Sequence, residues 1–197
     1  MKIFSTALLS LCTFAASFSA FAAQESHRAY YIGGDYEYTT LDYGNNSGGV
    51  NNNDFFATRF NGGNIHLGAR FGEYLGTELG YYLTERREKN GVSGVTPVNT
   101  NTKLQGMYFD VLGFYPITSD KKLEALGSVG LGYNRIDSEI TTSGFPGRSA
   151  SDDQISGRLG AGLQYNLTDN VSTRTRINYT ALDDSYWTFG AGVNFGF

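Results

Sequence analysis

Cysteine is almost missing from this chain of 197 residues: the single thiol is Cys12, inside the first apolar run. Residues Met1 to Ser26 have the layout of a secretory leader. Lys2 supplies the positive start, Ile3 to Phe18 the apolar stretch and Ala20-Phe21-Ala22 the small-x-small cleavage site. The expected division is therefore a cleaved leader over 1–22 and one domain over 23–197. A retained N-terminal anchor fits less well, because the run is short and ends in a cleavage site rather than in charge. A lipoprotein box at Leu9–Cys12 is excluded, since Leu11 stands where a small residue is required and Cys12 falls too early. Once the leader is removed no cysteine remains, which excludes disulfides, thiolate catalysis and thiolate metal sites.

Other shortages narrow the function further. There are only two histidines, His27 and His66, and no His/Asp/Glu cluster has metal-ligand spacing, so no metal or cofactor is expected. Basic residues number 15 against 19 acidic ones; without Lys2 the balance is 14 to 19, a net charge of −5. Such a chain has no clustered lysine and arginine for phosphate backbones, so nucleic acid is not an expected partner. Beyond the leader nothing approaches the roughly 20 apolar residues of a spanning helix. Proline occurs three times only.

Glycine and aromatics are plentiful: 26 Gly, 14 Tyr, 14 Phe and one Trp. Aromatic and β-branched runs punctuated by Gly, Asn and Asp predict an all-β chain. Eight alternating segments stand out, at about 29–40, 60–72, 75–85, 104–115, 123–136, 154–166, 171–182 and 186–197. Each is near the 9–11 residues that a tilted membrane strand requires. Their connections fall into two classes. Gly72–Tyr74, Pro116–Lys122 and Leu167–Asn170 are short, whereas Asp42–Asp54, Arg86–Thr102 and Asp137–Asp153 are long and polar; Asp183–Ser185 breaks the pattern by being short. A barrel trimmed at one end and decorated at the other is the asymmetry of outer-membrane proteins.

The two faces of each segment differ consistently. Ile65, Leu67, Ala69 and Phe71 oppose Asn64, His66, Gly68 and Arg70; Leu159, Ala161 and Leu163 oppose Arg158, Gly160, Gly162 and Gln164. The polar faces collect Asp35, Glu37, Glu78, Asp110 and Glu124 against Arg70, Arg158, Arg174 and Arg176. A soluble ligand-binding barrel would set these faces in water. In an inside-out barrel their near-balance is demanded, because an unpaired interior charge is expensive, and glycines beside them leave room for long side chains in a narrow lumen. Aromatics on the apolar faces gather near both ends, with Tyr36, Tyr81, Tyr133 and Trp187 at one and Phe71, Tyr115, Tyr165 and Phe195 at the other. Two aromatic girdles flanking an apolar band mark a lipid interface. The fold expected is an eight-stranded antiparallel up-and-down transmembrane β-barrel, with the last strand closing on the first.

In this pattern, in "GARFGEYLGTELGYY" (Gly68–Tyr82) and in the ending "GAGVNFGF", the chain resembles the small OmpA/OmpX-like outer-membrane β-barrels over about residues 29–197. The resemblance implies a monomer in the outer membrane of a Gram-negative bacterium, with loops outside and turns in the periplasm. It implies contact with lipid and lipopolysaccharide, and Phe195 and Phe197 as the signal read by the barrel-assembly machinery. It also implies a role in envelope integrity, adhesion or interaction with host surface or matrix components through the loops. A small pore is the alternative, and a lipid A-modifying enzyme a weaker one.

No catalytic set supports the last reading. His27 and His66 have no serine partner placed with them near an interface, and His66 is expected in the interior polar network. Asp35 and Glu37 share one strand face, an arrangement open to acid–base work; pairing with Arg174 and Arg176 is the expectation instead. Glycine-rich stretches at Gly157–Gly162 and Gly190–Gly196 lack the helix that a phosphate loop requires. The mixed-charge stretch Glu85–Asn90 is a candidate for lipopolysaccharide phosphates.

Overall fold

A computed structural model describes residues 30–42, 56–93, 96–142, 147–182 and 185–197. The leader, His27, most of the Asp42–Asp54 connection and Asp183–Asp184 lie outside the described residues. The described chain is all strand and turn: β1 (Tyr30–Leu41), β2 (Arg59–Phe71), β3 (Leu75–Thr84), β4 (Arg87–Ser93), β5 (Thr96–Pro116), β6 (Leu123–Thr142), β7 (Arg148–Asn166), β8 (Val171–Ala181) and β9 (Tyr186–Gly196). Every neighbouring pair is antiparallel, and β1 bonds to β9 from Tyr31↔Gly196 to Leu41↔Tyr186. That pairing, with β3–β5 on the other side, closes the sheet. Closure satisfies the backbone without water, the condition for strands to cross a bilayer.

Nine strands make eight staves, because β3 and β4 are two parts of one. Both pair with β5, but between Leu83↔Gln105 and Arg87↔Thr102 the first strand has three residues where β5 has two. The extra residue is a bulge, which bends its strand and shifts the facing of everything after it.

Alternation sorts the side chains to two environments. Ile65 (67% exposed) and Leu159 (59%) face outward, whereas their neighbours His66 (2%) and Arg158 (5%) face the lumen. Polar inside and apolar outside is the inverse of a soluble barrel, and the burial it gives up is supplied by lipid. Turns close one end tightly. Gly72 has φ +69°, a left-handed conformation that glycine adopts without penalty.

The expected strand ends need correction at the opposite rim. Arg86–Thr102 and Asp137–Asp153, read as loops, continue as strand: β4 pairs with Thr96–Thr102, and β6 and β7 pair out to Ile140↔Arg148. A four-stranded sheet of β4, β5, β6 and β7 thus stands above the barrel proper. Apart from isolated residues such as Val92, Val98, Ile140 and Ala150 these segments are polar at successive positions, so no continuous apolar face announced them. Pro97 is tolerated there because it pairs with Val92 alone, β6 beginning its pairing at Val98.

Candidate functional site: the barrel interior and its rim

The interior is filled in three tiers. At the middle, β8 carries Arg174 and Arg176 two residues apart and so onto one face. Arg174 donates from Nε to Asp35 Oδ1 (3.1 Å) and from Nη2 to Asp35 Oδ2 (2.7 Å), and from Nη1 to Glu78 Oε2 (2.5 Å). Arg176 donates to Glu78 Oε1 at 2.6 Å and to Asp110 Oδ2 at 2.9 Å. Arg158 reaches Asp110 at 3.3 Å and lies over the Tyr108 ring, 4.2 Å from its centroid. Glu78 also accepts from the hydroxyls of Tyr31 (2.9 Å) and Tyr108 (2.8 Å). Three guanidinium groups and three carboxylates are therefore tied into one network, which supplies each buried charge with the partner that burial demands.

His66 belongs to the same network. Arg174 Nη2 stands 3.1 Å from His66 Nδ1, and His66 Nε2 stands 2.7 Å from Asn194 Oδ1. A guanidinium can only donate, so Nδ1 accepts and Nε2–H donates. The ring is a neutral structural link with both nitrogens engaged.

Glu37 departs from the expected pairing. It does not meet Arg176, which is turned to Glu78 and Asp110; it accepts from Asn64 Nδ2 at 3.0 Å instead. Asp35 does meet Arg174. Glu124 and Arg70 form a separate pair near the turns (2.6 Å), with the Arg70 guanidinium 4.1 Å from the Phe114 ring centroid. Beside them is a cavity of about 20 Å³ between Tyr31, Arg70, Phe114, Gln164 and Asn194, room for about one water.

Toward the rim the lumen becomes apolar, which the polar-face reading did not foresee. Leu41, Phe60, Leu104, Ile136 and Tyr186 come inward from five strands and pack with Tyr82 and Tyr108. Below them Tyr186 donates to Asn134 at 2.8 Å and Asn134 to Ser156 at 2.7 Å. Interior aromatics are what the sequence reading undercounted. The signal was present as parity: Tyr31 is in step with Asp35, and Tyr108 with Asp110. The glycines serve them too. A Cβ on Gly68 would strike the Tyr31 ring and one on Gly80 the Tyr108 ring, whereas Gly130 and Gly192 make way for Asp110 and Asp35.

The rim sheet is polar. Its outer face carries a groove of about 290 Å³ between Arg86, Asn101, Arg135, Asp137, Glu139 and Ser151. Arg86 pairs with Glu139 (3.3 Å) and Arg135 with Asp137 (2.9 Å), all partly exposed. The bulge places Arg86 on this face. Asn101 Oδ1 is buried there with no hydrogen-bond partner among the described residues. In the sequence-singled stretch Glu85–Asn90, Glu85 pairs with Arg87 at 2.8 Å and Glu88 accepts from Asn99. The Asn61 side-chain amide holds the Glu85 carboxyl below its ordinary pKa. At the chain end Phe195 and Phe197 face outward; the Phe197 amide donates to the Tyr30 carbonyl at 2.9 Å, and the two rings stack. Among the described residues no group of three or more His, Cys, Asp or Glu could hold a metal ion.

A family model described as outer membrane protein beta-barrel domain matches residues 6–197. No curated protein sequence matches the chain. Among solved structures, Neisserial surface protein A aligns with a TM-score of 0.61 at 17% identity, covering 86% of this chain and 97% of that one. Ail, the attachment invasion locus protein of Yersinia pestis, aligns with a TM-score of 0.59 at 19% identity over 85% and 97%. OprG of Pseudomonas aeruginosa aligns with a TM-score of 0.55 at 13% identity over 87% and 98%. At these identities the likeness is one of fold.

Proposed function

The chain belongs to the outer membrane protein beta-barrel domain family, and from that premise we propose that it works at its rim, as a sealed scaffold presenting a polar sheet at the cell surface. The observation that carries this reading is the lumen: the Arg174–Glu78–Arg176 network spans it and the Leu41–Phe60–Leu104 cluster caps it. A permeation pathway would need both to part. Catalysis finds no support either, because the described histidine is locked between Arg174 and Asn194.

The role is surface contact, in adhesion or envelope integrity, with hydroxyl-rich anionic saccharides as the ligand chemistry. Two rim arginines, whose pairs with Glu139 and Asp137 are exposed and therefore weak, and an Asn101 carbonyl without a partner among the described residues share one groove, and they suit sulfate or phosphate groups on a sugar whose hydroxyl can donate to that carbonyl. An Ail structure is a complex with the heparin analogue sucrose octasulfate, at 20% identity to this chain, a parallel that supports the ligand class. The loops would then lie outside, the turns in the periplasm, and Phe195 and Phe197 would be read during assembly.

Titration of the folded protein in nanodiscs with sucrose octasulfate tests the reading. Saturable binding that weakens in Arg86→Ala/Arg135→Ala is expected, and unaltered binding in that variant would remove the groove from the account. Planar-bilayer recording tests the seal: folded protein should give no unitary steps, and reproducible steps would move the function to permeation.

A further inference from the structure

The arginines of the rim groove already hold anions, and those anions belong to the chain. Arg86 Nη1 donates to Glu139 Oε2 at 3.3 Å and Arg135 Nε to Asp137 Oδ1 at 2.9 Å, while Asp153 Oδ1 stands 3.9 Å from the same Arg135 nitrogen. Lys103 lies directly across from Asp137 in the ladder. Three cations and three carboxylates thus share one face, and their charges balance. Asp137 and Glu139 are two residues apart on β6, so their side chains point the same way.

We infer that the groove seats a saccharide bearing two anionic groups roughly 7 Å apart, the spacing of alternate residues on a strand, and that these groups displace Glu139 from Arg86 and Asp137 from Arg135. This rests on the proposed reading of the rim as a contact for anionic saccharides and states how that contact selects among them. Donor geometry is the first argument. Each internal pair is made through one nitrogen, whereas a sulfate or phosphate can take two parallel N–H donors of one guanidinium, the stronger arrangement. Exposure is the second. The side chains of Arg86, Glu139 and Arg135 are 53%, 52% and 45% exposed. The internal pairs therefore contribute little, and a displaced carboxylate turns into water rather than into a closed interior.

Position is the third argument. Tyr133, Arg135, Asp137 and Glu139 alternate along one outward face of β6, and Tyr133 is in register with the outward-facing Met107 and Ile155. The groove thus opens sideways, beginning about 7 Å along the strand above the last lipid-facing row. A single anion there displaces one carboxylate and is repelled by the other. Two anions at the matching spacing remove both at once. The groove volume of about 290 Å³ is at the lower end for ligand clefts and confines the seated part to a short segment.

Calorimetric titration of the folded protein in phosphatidylcholine nanodiscs tests this, with sucrose octasulfate and glucose 6-sulfate as probes. Asp137→Asn/Glu139→Gln should bind octasulfate several-fold more tightly than the unaltered protein. Glu88→Gln/Asp152→Asn removes the same charge from rim carboxylates that accept from Asn99 and Gln154, and should change the affinity little. Glucose 6-sulfate should show no saturable binding over the range that saturates octasulfate. Equal affinities in the two neutralised variants would overturn the displacement while leaving the groove as a contact site, and comparable binding of glucose 6-sulfate would overturn the need for paired anions. Unaltered octasulfate binding in Arg86→Ala/Arg135→Ala would instead remove the groove and the proposed function with it. Such paired anions come from a free saccharide or from a phosphorylated glycolipid of the same leaflet. In discs that also contain lipopolysaccharide, a lowered octasulfate affinity supports the glycolipid as the source and an unchanged one the free saccharide.

Discussion

Replacing Glu78 by alanine should damage the fold far more than replacing Glu88, although both are glutamates of the same stave. Glu78 is 1% exposed and accepts hydrogen bonds from Arg174, Arg176, Tyr31 and Tyr108. Its loss removes one partner from each of two guanidinium groups and two hydroxyls in a closed interior. Removing one partner of a buried ion pair costs about 3–5 kcal/mol. Here Arg174 keeps Asp35 and Arg176 keeps Asp110, so the lower end of about 3 kcal/mol applies. Glu88 is exposed and accepts from Asn99 at the rim; its truncation should stay within about 0.5 kcal/mol. Urea unfolding of the refolded protein in detergent micelles measures the difference. With a slope of about 1–3 kcal/mol per molar, Glu78→Ala should lower the midpoint by at least about 1 M while Glu88→Ala barely moves it. Adding Arg176→Met to Glu78→Leu should restore part of the loss, because a well-packed apolar pair often matches a buried ionic one. Equal midpoints for Glu78→Ala and Glu88→Ala would refute the argument that the lumen network holds the barrel together.

Gly80→Ala would drive a methyl into the Tyr108 ring and should cost about 1–3 kcal/mol; Tyr108→Leu in the same chain should recover most of it, and failure to recover would place the cost in the backbone. Leu159→Arg, on the lipid face, should cost about 2–4 kcal/mol in refolding into vesicles, and a neutral outcome would contradict the outward assignment. In the turns, the Lys121 ammonium donates to Glu73 and holds its carboxyl below the ordinary value, while Glu73 holds the Lys121 amine above its own. The pair's contribution is therefore lost as pH falls through the lowered Glu73 value or rises through the raised Lys121 value, and is present between them. NMR titration of Glu73 should show its midpoint rise in Lys121→Ala; an unchanged midpoint would assign the shift elsewhere.

The sequence by itself determined which way most side chains face. A strand has period two, so one certain residue orients all its neighbours: placing Arg158 inside placed Leu159 in lipid and Gly160 inside again. The same rule set Arg174 with Arg176 and made the closure of β9 on β1 legible from the alternation of Tyr186–Phe197. Tertiary structure decided what period two cannot express. Partner choice depends on stagger across strands, so Arg176 turned to Glu78 and Asp110 and left Glu37 to Asn64. The apolar cap inside the rim arises because Leu41, Phe60, Leu104 and Ile136 lie far apart in the chain and only closure stacks them at one height. Above the membrane neither face is apolar, so the pattern that reveals a strand is absent. There the backbone ladder alone extends β5, β6 and β7, and a single bulged residue between β3 and β4 presents Arg86 outward.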